Sequence, residues 1–145
     1  MFDIVILSGG FDPIHIGHAR MIIAASRLGS EVIVGVNSDE WLKRKKGYAF
    51  MPWEERAEMA ESIKGVSKAI AFDDSDNSAC DLLRKVRKEN LNASIAFANG
   101  GDRDSTNIPE GPTATELGIA LVWGIGGGKI QSSSELVQKL KEKGN

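Results

Sequence analysis

The first 36 residues have the pattern of a strand, a glycine-containing turn, a helix and a second strand. Phe2–Leu7 and Glu31–Val36 are short and rich in β-branched residues, and Ala19–Leu28 places apolar residues at helical spacing. The run from Gly9 to His18, between the first strand and the helix, contains three glycines and two histidines. A β-α-β unit implies parallel strands, which restricts the chain to an α/β fold.

The rest of the chain repeats this alternation. We predict further helices over a short segment through Trp41-Leu42, Pro52–Ile63, Cys80–Glu89, Thr113–Leu117 and Ser132–Lys141, and further strands over Val66–Phe72, Ala93–Ala98 and Ile119–Trp123. Lys43–Gly47 is expected to be a basic loop. The predicted fold is a Rossmann-like, doubly wound sheet of five parallel strands, in one domain spanning residues 1–145. Ligands of such sheets bind beyond the carboxyl ends of the strands.

Composition excludes several classes of protein. A net charge of -2 over 145 residues leaves no broad basic surface, so a general nucleic-acid binder is not expected. Apolar runs are too short for a membrane span, and the start of the chain has no targeting pattern. Cys80 is the only cysteine, so no intramolecular disulfide is possible. We therefore expect a cytoplasmic protein that binds neither nucleic acid nor membrane.

The run from Gly9 to His18 has the chemistry of a phosphate site. Gly9, Gly10 and Gly17 let a phosphate approach the backbone at a helix start, where unpaired N–H groups and the helix dipole attract anions. His15 and His18 are three residues apart and can face the same side of a first helical turn. They would stabilise charge on an α-phosphate during in-line attack. The alternative is a pair of capping or surface histidines; a zinc site would need further ligands.

A second candidate phosphate site begins the last predicted helix. Ser132, Ser133 and Ser134 offer hydroxyl and backbone N–H donors that suit the β- and γ-phosphates of a nucleoside triphosphate. Ser132 and Glu135 also form a capping-box pattern, which is a purely structural explanation.

The residues His15-Ile16-Gly17-His18 have the HxGH pattern. Together with the serine segment Ser132–Ser134, they resemble the nucleotidyltransferase superfamily that carries this signature. Its members include cytidylyl- and adenylyltransferases. Gly100-Gly101-Asp102 resembles the Gly-Gly-Asp stretch of heptose-phosphate adenylyltransferases and, less closely, the Gly-Asp-Asp stretch of glycerol-3-phosphate cytidylyltransferases. The site residues expected from the motifs and the resemblance fall in three groups. They are His15, His18 and Lys46 for catalysis; Gly9, Gly10, Phe11, Gly17, Gly101, Asp102, Ser132, Ser133 and Ser134 for the nucleotide; and Asp12, Arg56 and Lys129 for the acceptor substrate, with no metal-ligating residue.

The resemblance implies transfer of a nucleoside monophosphate to a phosphorylated sugar or polyol, with Mg²⁺ bound to the triphosphate. Two positions depart from the family pattern. Position 10 is glycine where many relatives have a hydroxyl or thiol, and Gly127 stands where the cytidylyltransferases have an arginine. ATP is therefore the expected donor, with CTP as the alternative. A nucleotide-binding regulatory module without turnover is the alternative of another class. The resemblance also implies a homodimer.

Overall fold

Parallel strands alternate with helices along the chain in the computed structural model, which describes residues 1–100 and 108–126. Within these residues the strands are β1 (Phe2–Gly9), β2 (Gly29–Val36), β3 (Val66–Ile70), β4 (Ile95–Gly100) and β5 (Ala120–Ile125), and the helices are α1 (Ile16–Ser26), α2 (Asp39–Lys46), α3 (Trp53–Glu61), α4 (Cys80–Glu89) and α5 (Gly111–Leu117). All observed strand pairs are parallel, in the order β3-β2-β1-β4-β5. The predicted α/β fold, a doubly wound Rossmann-like sheet, is confirmed.

The two faces of the sheet bury separate apolar clusters. In β1, Ile4 and Ile6 pack on one face with residues of α4 such as Leu82. The intervening Val5 and Leu7 pack on the other face against α1. Successive side chains of a strand point to opposite faces, so an uninterrupted apolar run is what a strand covered on both faces needs.

The predicted basic loop over Lys43–Gly47 is wrong, because α2 continues to Lys46. The Ser38 hydroxyl accepts a hydrogen bond from the Trp41 N–H at 3.0 Å and caps the start of this helix. Acidic residues occupy its first turn and basic residues its last, which matches the helix dipole. Gly47, with φ of 86°, ends the helix. The charge run that suggests a solvated loop is thus also a favourable helix end.

Other boundaries differ from the prediction by a few residues. Strand β4 ends at Gly100 and not at Ala98, so it includes the first residue of the Gly-Gly-Asp stretch. Helix α4 is found where the sequence predicts it. The predicted helix over Ser132–Lys141 lies outside the described residues. Within residues 1–100 and 108–126, no helix is long and apolar enough to cross a bilayer.

Candidate active site

Two histidines at the start of α1 form a reciprocal cap. His15 precedes the helix, and its Nδ1 accepts a hydrogen bond from the Gly17 N–H at 3.0 Å. Nδ1 of His18 accepts in turn from the His15 N–H at 3.1 Å. The two rings are stacked, with centroids 3.9 Å apart. Each ring thus satisfies a backbone donor that the helix start would leave unpaired.

This cap assigns the proton of a neutral imidazole to Nε2. A nitrogen that accepts a hydrogen bond from a backbone N–H has no proton of its own, so in both rings the proton lies on the other nitrogen. Within the described residues, no hydrogen bond joins His18 Nε2 to another residue. The structural and functional interpretations of the histidines are therefore compatible, because capping uses one nitrogen of His18 and leaves the other as a donor.

His18 stays neutral well below physiological pH. Burial of the ring, and secondarily the charge of the neighbouring His15, lower its pKa from 6.5 to about 3. Phe11 contributes to this burial, since its ring meets the imidazole edge-on at a centroid distance of 4.8 Å. A ring held neutral presents an N–H dipole and not a full positive charge.

The two glycines before α1 lie close to neighbouring side chains. Phe11 is buried and has φ of 52°, a left-handed conformation that side chains other than glycine rarely adopt. A Cβ added to Gly9, the last residue of β1, would lie 3.1 Å from the Phe11 ring. A Cβ on Gly10 would lie 2.9 Å from Leu42 of α2. A side chain at position 10 would therefore require the terminal methyl group of Leu42 to move.

Lys46 and Asp12 pair with each other beside this turn. The Lys46 ammonium lies 3.0 Å from the Asp12 carboxylate and donates to the Asp12 carbonyl oxygen at 2.8 Å. The carboxylate also accepts from the Phe50 and Met51 N–H groups, each at 2.7 Å. The Asp12 carboxylate is buried and engaged by the protein, and its contact with substrate remains a prediction. Lys46 lies next to the histidine turn, and its catalytic role remains a prediction.

Arg56 is held by the protein on several sides. Its side chain is 0% exposed. The guanidinium donates to the carbonyl oxygens of Met51, Gly10 and Asn37 and forms a salt bridge with Asp39. These groups already use the arginine in this structure, and its contact with a substrate phosphate remains a prediction. They connect the end of β1, the end of β2 and the start of α2.

A cleft of about 380 Å³ opens at the carboxyl ends of the strands, beside the turn formed by Gly9 and Gly10, here called the glycine turn. The charged side chains among its described lining residues are Lys45 and Glu110. Lys45 extends over the Trp41 ring, with its ammonium 4.6 Å from the ring centroid. The lining residues are Ser8, Gly9, Gly10, Asn37, Trp41, Lys45, Phe72, Asn77, Ser78, Ala79 and Glu110. This cleft has the size of a small-molecule site.

Comparison with known proteins agrees with this geometry. The family model described as cytidylyltransferase-like matches residues 6–127, from the middle of β1 to beyond β5. The chain belongs to the cytidylyltransferase-like family. The resemblance inferred from the HxGH run is thereby confirmed.

Similar members of the cytidylyltransferase-like family include two curated proteins. The bifunctional protein HldE of Nitratiruptor is 31% identical over 116 residues, which are 79% of this chain and 23% of that protein. The FAD synthase of Pyrococcus abyssi is 33% identical over 101 residues, 69% of this chain and 64% of that protein. The chain thus spans less than two thirds of the length of these relatives.

A solved structure shares the fold over almost the whole chain. It is the bifunctional NMN adenylyltransferase/ADP ribose pyrophosphatase of Francisella tularensis, complexed with AMP and a manganese ion. It is 26% identical, with a TM-score of 0.71, and the match covers 98% of this chain and 42% of that protein.

Several predicted site residues lie outside the described residues. They are Gly101, Asp102, Lys129, Ser132, Ser133 and Ser134. Among the residues that are described, no group of three or more His, Cys, Asp or Glu side chains is placed to hold a metal ion. Gly17 lies at the start of α1 as predicted, but its N–H group is used by His15.

Sequence reasoning missed the roles of two buried carboxyl groups, Asp74 and Glu110. Asp74 is buried and accepts hydrogen bonds from the Asn37 amide and from the Ser38 hydroxyl and N–H, so it joins the ends of β2 and β3. Glu110 is buried before α5 and lines the cleft. Asp74 follows a predicted strand, which is a usable signal. Glu110 follows a proline in a turn, and nothing in that pattern indicates burial.

Proposed function

We propose that this chain transfers a nucleoside monophosphate from a nucleoside triphosphate to a phosphorylated sugar or polyol. A phosphate oxygen of the acceptor attacks the α-phosphorus, the bond from that phosphorus to the bridging oxygen of the β-phosphate breaks, and pyrophosphate leaves. The observation that supports this function is the stacked pair of His15 and His18 directly beyond the Gly9–Gly10 turn, at the carboxyl end of β1. No covalent intermediate with the protein is needed.

The histidines have the property that this reaction requires. His18 offers a neutral Nε2–H donor whose ring is already oriented by the His15 N–H. A donor fixed before the reaction stabilises the charge that develops on the α-phosphate without reorganisation. His15 is held by the same cap and would contact the same phosphate. Backbone N–H groups of Gly9, Gly10 and Phe11 would add further donors, and Ser132–Ser134 would hold the departing pyrophosphate.

We favour ATP as the donor. The Francisella relative, solved with AMP, supports this choice. So does Gly127, which stands in place of the arginine of cytidylyltransferases. Mg²⁺ would enter bound to the triphosphate, whose phosphate oxygens are the hard ligands that it prefers. When bound it would neutralise part of the phosphate charge.

The test is pyrophosphate release with ATP, CTP and other triphosphates, each combined with a panel of sugar and polyol phosphates. Release with ATP and one class of acceptor is expected. Preference for CTP would reverse the choice of donor. Nucleotide binding without release in any combination would replace the proposed enzyme with a regulatory nucleotide-binding module. A cross-linking or sedimentation measurement would test the predicted homodimer separately.

A matched pair of variants tests the role of His18 in the same assay. In His18→Asn, the amide oxygen takes the place of Nδ1 and retains the cap, but no donor remains near the position of Nε2. In His18→Gln, an amide N–H lies near that position. We expect turnover to fall by about two to three orders of magnitude in the asparagine variant and by less in the glutamine variant. Equal turnover in both variants and the wild type would remove His18 from the mechanism.

A further inference from the structure

Glu110 has hydrogen-bonding capacity that the described protein does not use. Its side chain is 3% exposed. One carboxyl oxygen, Oε2, accepts from the Ala79 N–H at 2.8 Å, just before the start of α4. The other oxygen has no hydrogen-bond partner among the described residues. A buried polar atom of this kind costs free energy unless something pairs with it, so it calls for an explanation.

The other polar side chains on this side of the cleft are engaged. The Ser78 hydroxyl donates to Asp76 at 2.8 Å and accepts from the Cys80 N–H. The Asn37 amide donates to Asp74 at 3.0 Å. Glu110 differs from these residues. One hydrogen bond fixes its carboxyl group, and its second carboxyl oxygen can still accept a hydrogen bond from a ligand in the cleft.

The charge of Glu110 also limits where an anion binds in the cleft. The start of a helix attracts anions, but here the Glu110 carboxyl group already occupies the first N–H group before α4. The glycine turn and Lys45 line the same cleft and have the properties that a phosphate needs. An acceptor would therefore place its phosphate near Gly10 and Lys45, and a group that is not anionic near Glu110.

We propose that Glu110 determines acceptor specificity by accepting a hydrogen bond from a hydroxyl group of the acceptor. This inference rests on the proposed function and narrows its acceptor to a monophosphate that carries a hydroxyl group, and no second anionic group, at the position facing Glu110. An acceptor with a second phosphate or a carboxylate in place of that hydroxyl would be rejected, because it would bring two negative charges together in a buried site.

The first test is stability without ligand, using Glu110→Gln. The glutamine carbonyl oxygen can still accept from the Ala79 N–H, while the amide N–H₂ replaces the unpaired oxygen. Glu116→Gln is the matched control, because Glu116 is exposed on α5, the helix that Glu110 precedes. We expect the Tm of both variants to equal or exceed that of the wild type. A fall of about 4 °C or more in Glu110→Gln alone would overturn the inference, since the carboxyl group would then have a structural partner.

The second test compares two acceptors, glycerol 3-phosphate and 3-phosphoglycerate, which differ in having a terminal hydroxyl or a carboxylate. We expect the wild type and Glu116→Gln to prefer the alcohol in kcat/KM, and Glu110→Gln to lose about tenfold or more of that preference. The KM for the triphosphate should not change. An unchanged preference in Glu110→Gln would overturn the inference and leave the proposed function intact.

If the wild type turns over no acceptor, the proposed function fails and binding decides the inference. The readout is then the thermal shift that each of the two compounds causes. A larger shift with glycerol 3-phosphate in the wild type, lost in Glu110→Gln, would support the role of Glu110. Equal shifts with both compounds, or no shift with either, would overturn it.

Discussion

The buried, neutral His18 predicts that acid destabilises this protein through one identifiable residue. Well above pH 6.5 the imidazole is neutral in both the folded and the unfolded chain and contributes nothing to the pH dependence of stability. Below that pH the unfolded chain takes up a proton that the folded protein does not accept until its pKa of about 3. The unfolded state therefore gains stability as the pH falls through this window, and the free energy of unfolding decreases.

The magnitude follows from the two pKa values. Between about pH 8 and pH 5, the difference between a pKa of 6.5 and one of about 3 corresponds to a loss of about 2 kcal/mol in the free energy of unfolding. Proton uptake on Nδ1 of the folded protein would also remove the bond from the His15 N–H. Burial of the ring and the hydrogen bond in the cap thus both disfavour protonation of His18 in the folded protein.

The assay is urea unfolding at several pH values, followed by tryptophan fluorescence, for the wild type and His18→Asn. Asparagine keeps an acceptor for the His15 N–H but does not titrate. Carboxylates change the stability of both proteins alike, so the difference between the two pH profiles isolates His18. We expect the wild type to lose about 2 kcal/mol more than the variant on going from about pH 8 to pH 5. Parallel profiles would refute the argument, as would an NMR titration of the two histidines in which both change between these pH values.

Two further predictions concern the polar side chains around the glycine turn. Arg56→Met should lower the free energy of unfolding by about 3–5 kcal/mol, because it leaves buried carbonyl oxygens and a carboxylate unpaired; the exposed Arg84→Met is the control, and urea unfolding is the measurement. A small loss of stability in Arg56→Met, together with a large rise in acceptor KM, would instead support a role for Arg56 in binding the acceptor phosphate. Lys45→Ala should raise the acceptor KM and cost at most about 1 kcal/mol through its contact with Trp41. Lys46→Ala should cost about 1–3 kcal/mol by leaving Asp12 buried without its cation. The opposite assignment of the two effects would contradict the structure.

The fold was predictable because its signals are local. Each strand of a sheet covered on both faces is a short apolar run, and each helix has its own capping and spacing pattern, as α4 illustrates. The HxGH run could be recognised for the same reason: the strand, the turn and the first helical turn adjoin in sequence. Even the limit of α2 has a local explanation in Gly47, which the basic composition of the preceding residues obscured.

The roles of individual charged residues could not be predicted, because burial depends on contacts between distant segments. Arg56 lies at the start of a helix, where a cation is unfavourable, and that suggested a ligand-binding role. Its actual partners include Gly10, which is 46 residues away, and Asn37. Glu110 is oriented by Ala79, 31 residues away. A pattern of neighbouring residues contains no information about such pairs.

The charged side chains around the glycine turn hold neighbouring segments in place. Arg56 binds the carbonyl oxygen of Gly10 and the start of α2, while Lys46 joins the end of α2 to Asp12. Both ends of α2 are thereby attached to the turn that leads to the histidines. Phosphoryl-transfer chemistry depends mainly on the position of charges and donors, and a displacement of about 1 Å can cost two orders of magnitude in rate. Because these ions are already paired in the protein, substrate binding need not order them, and under the proposed function the donors on His15 and His18 would meet the phosphate in fixed positions.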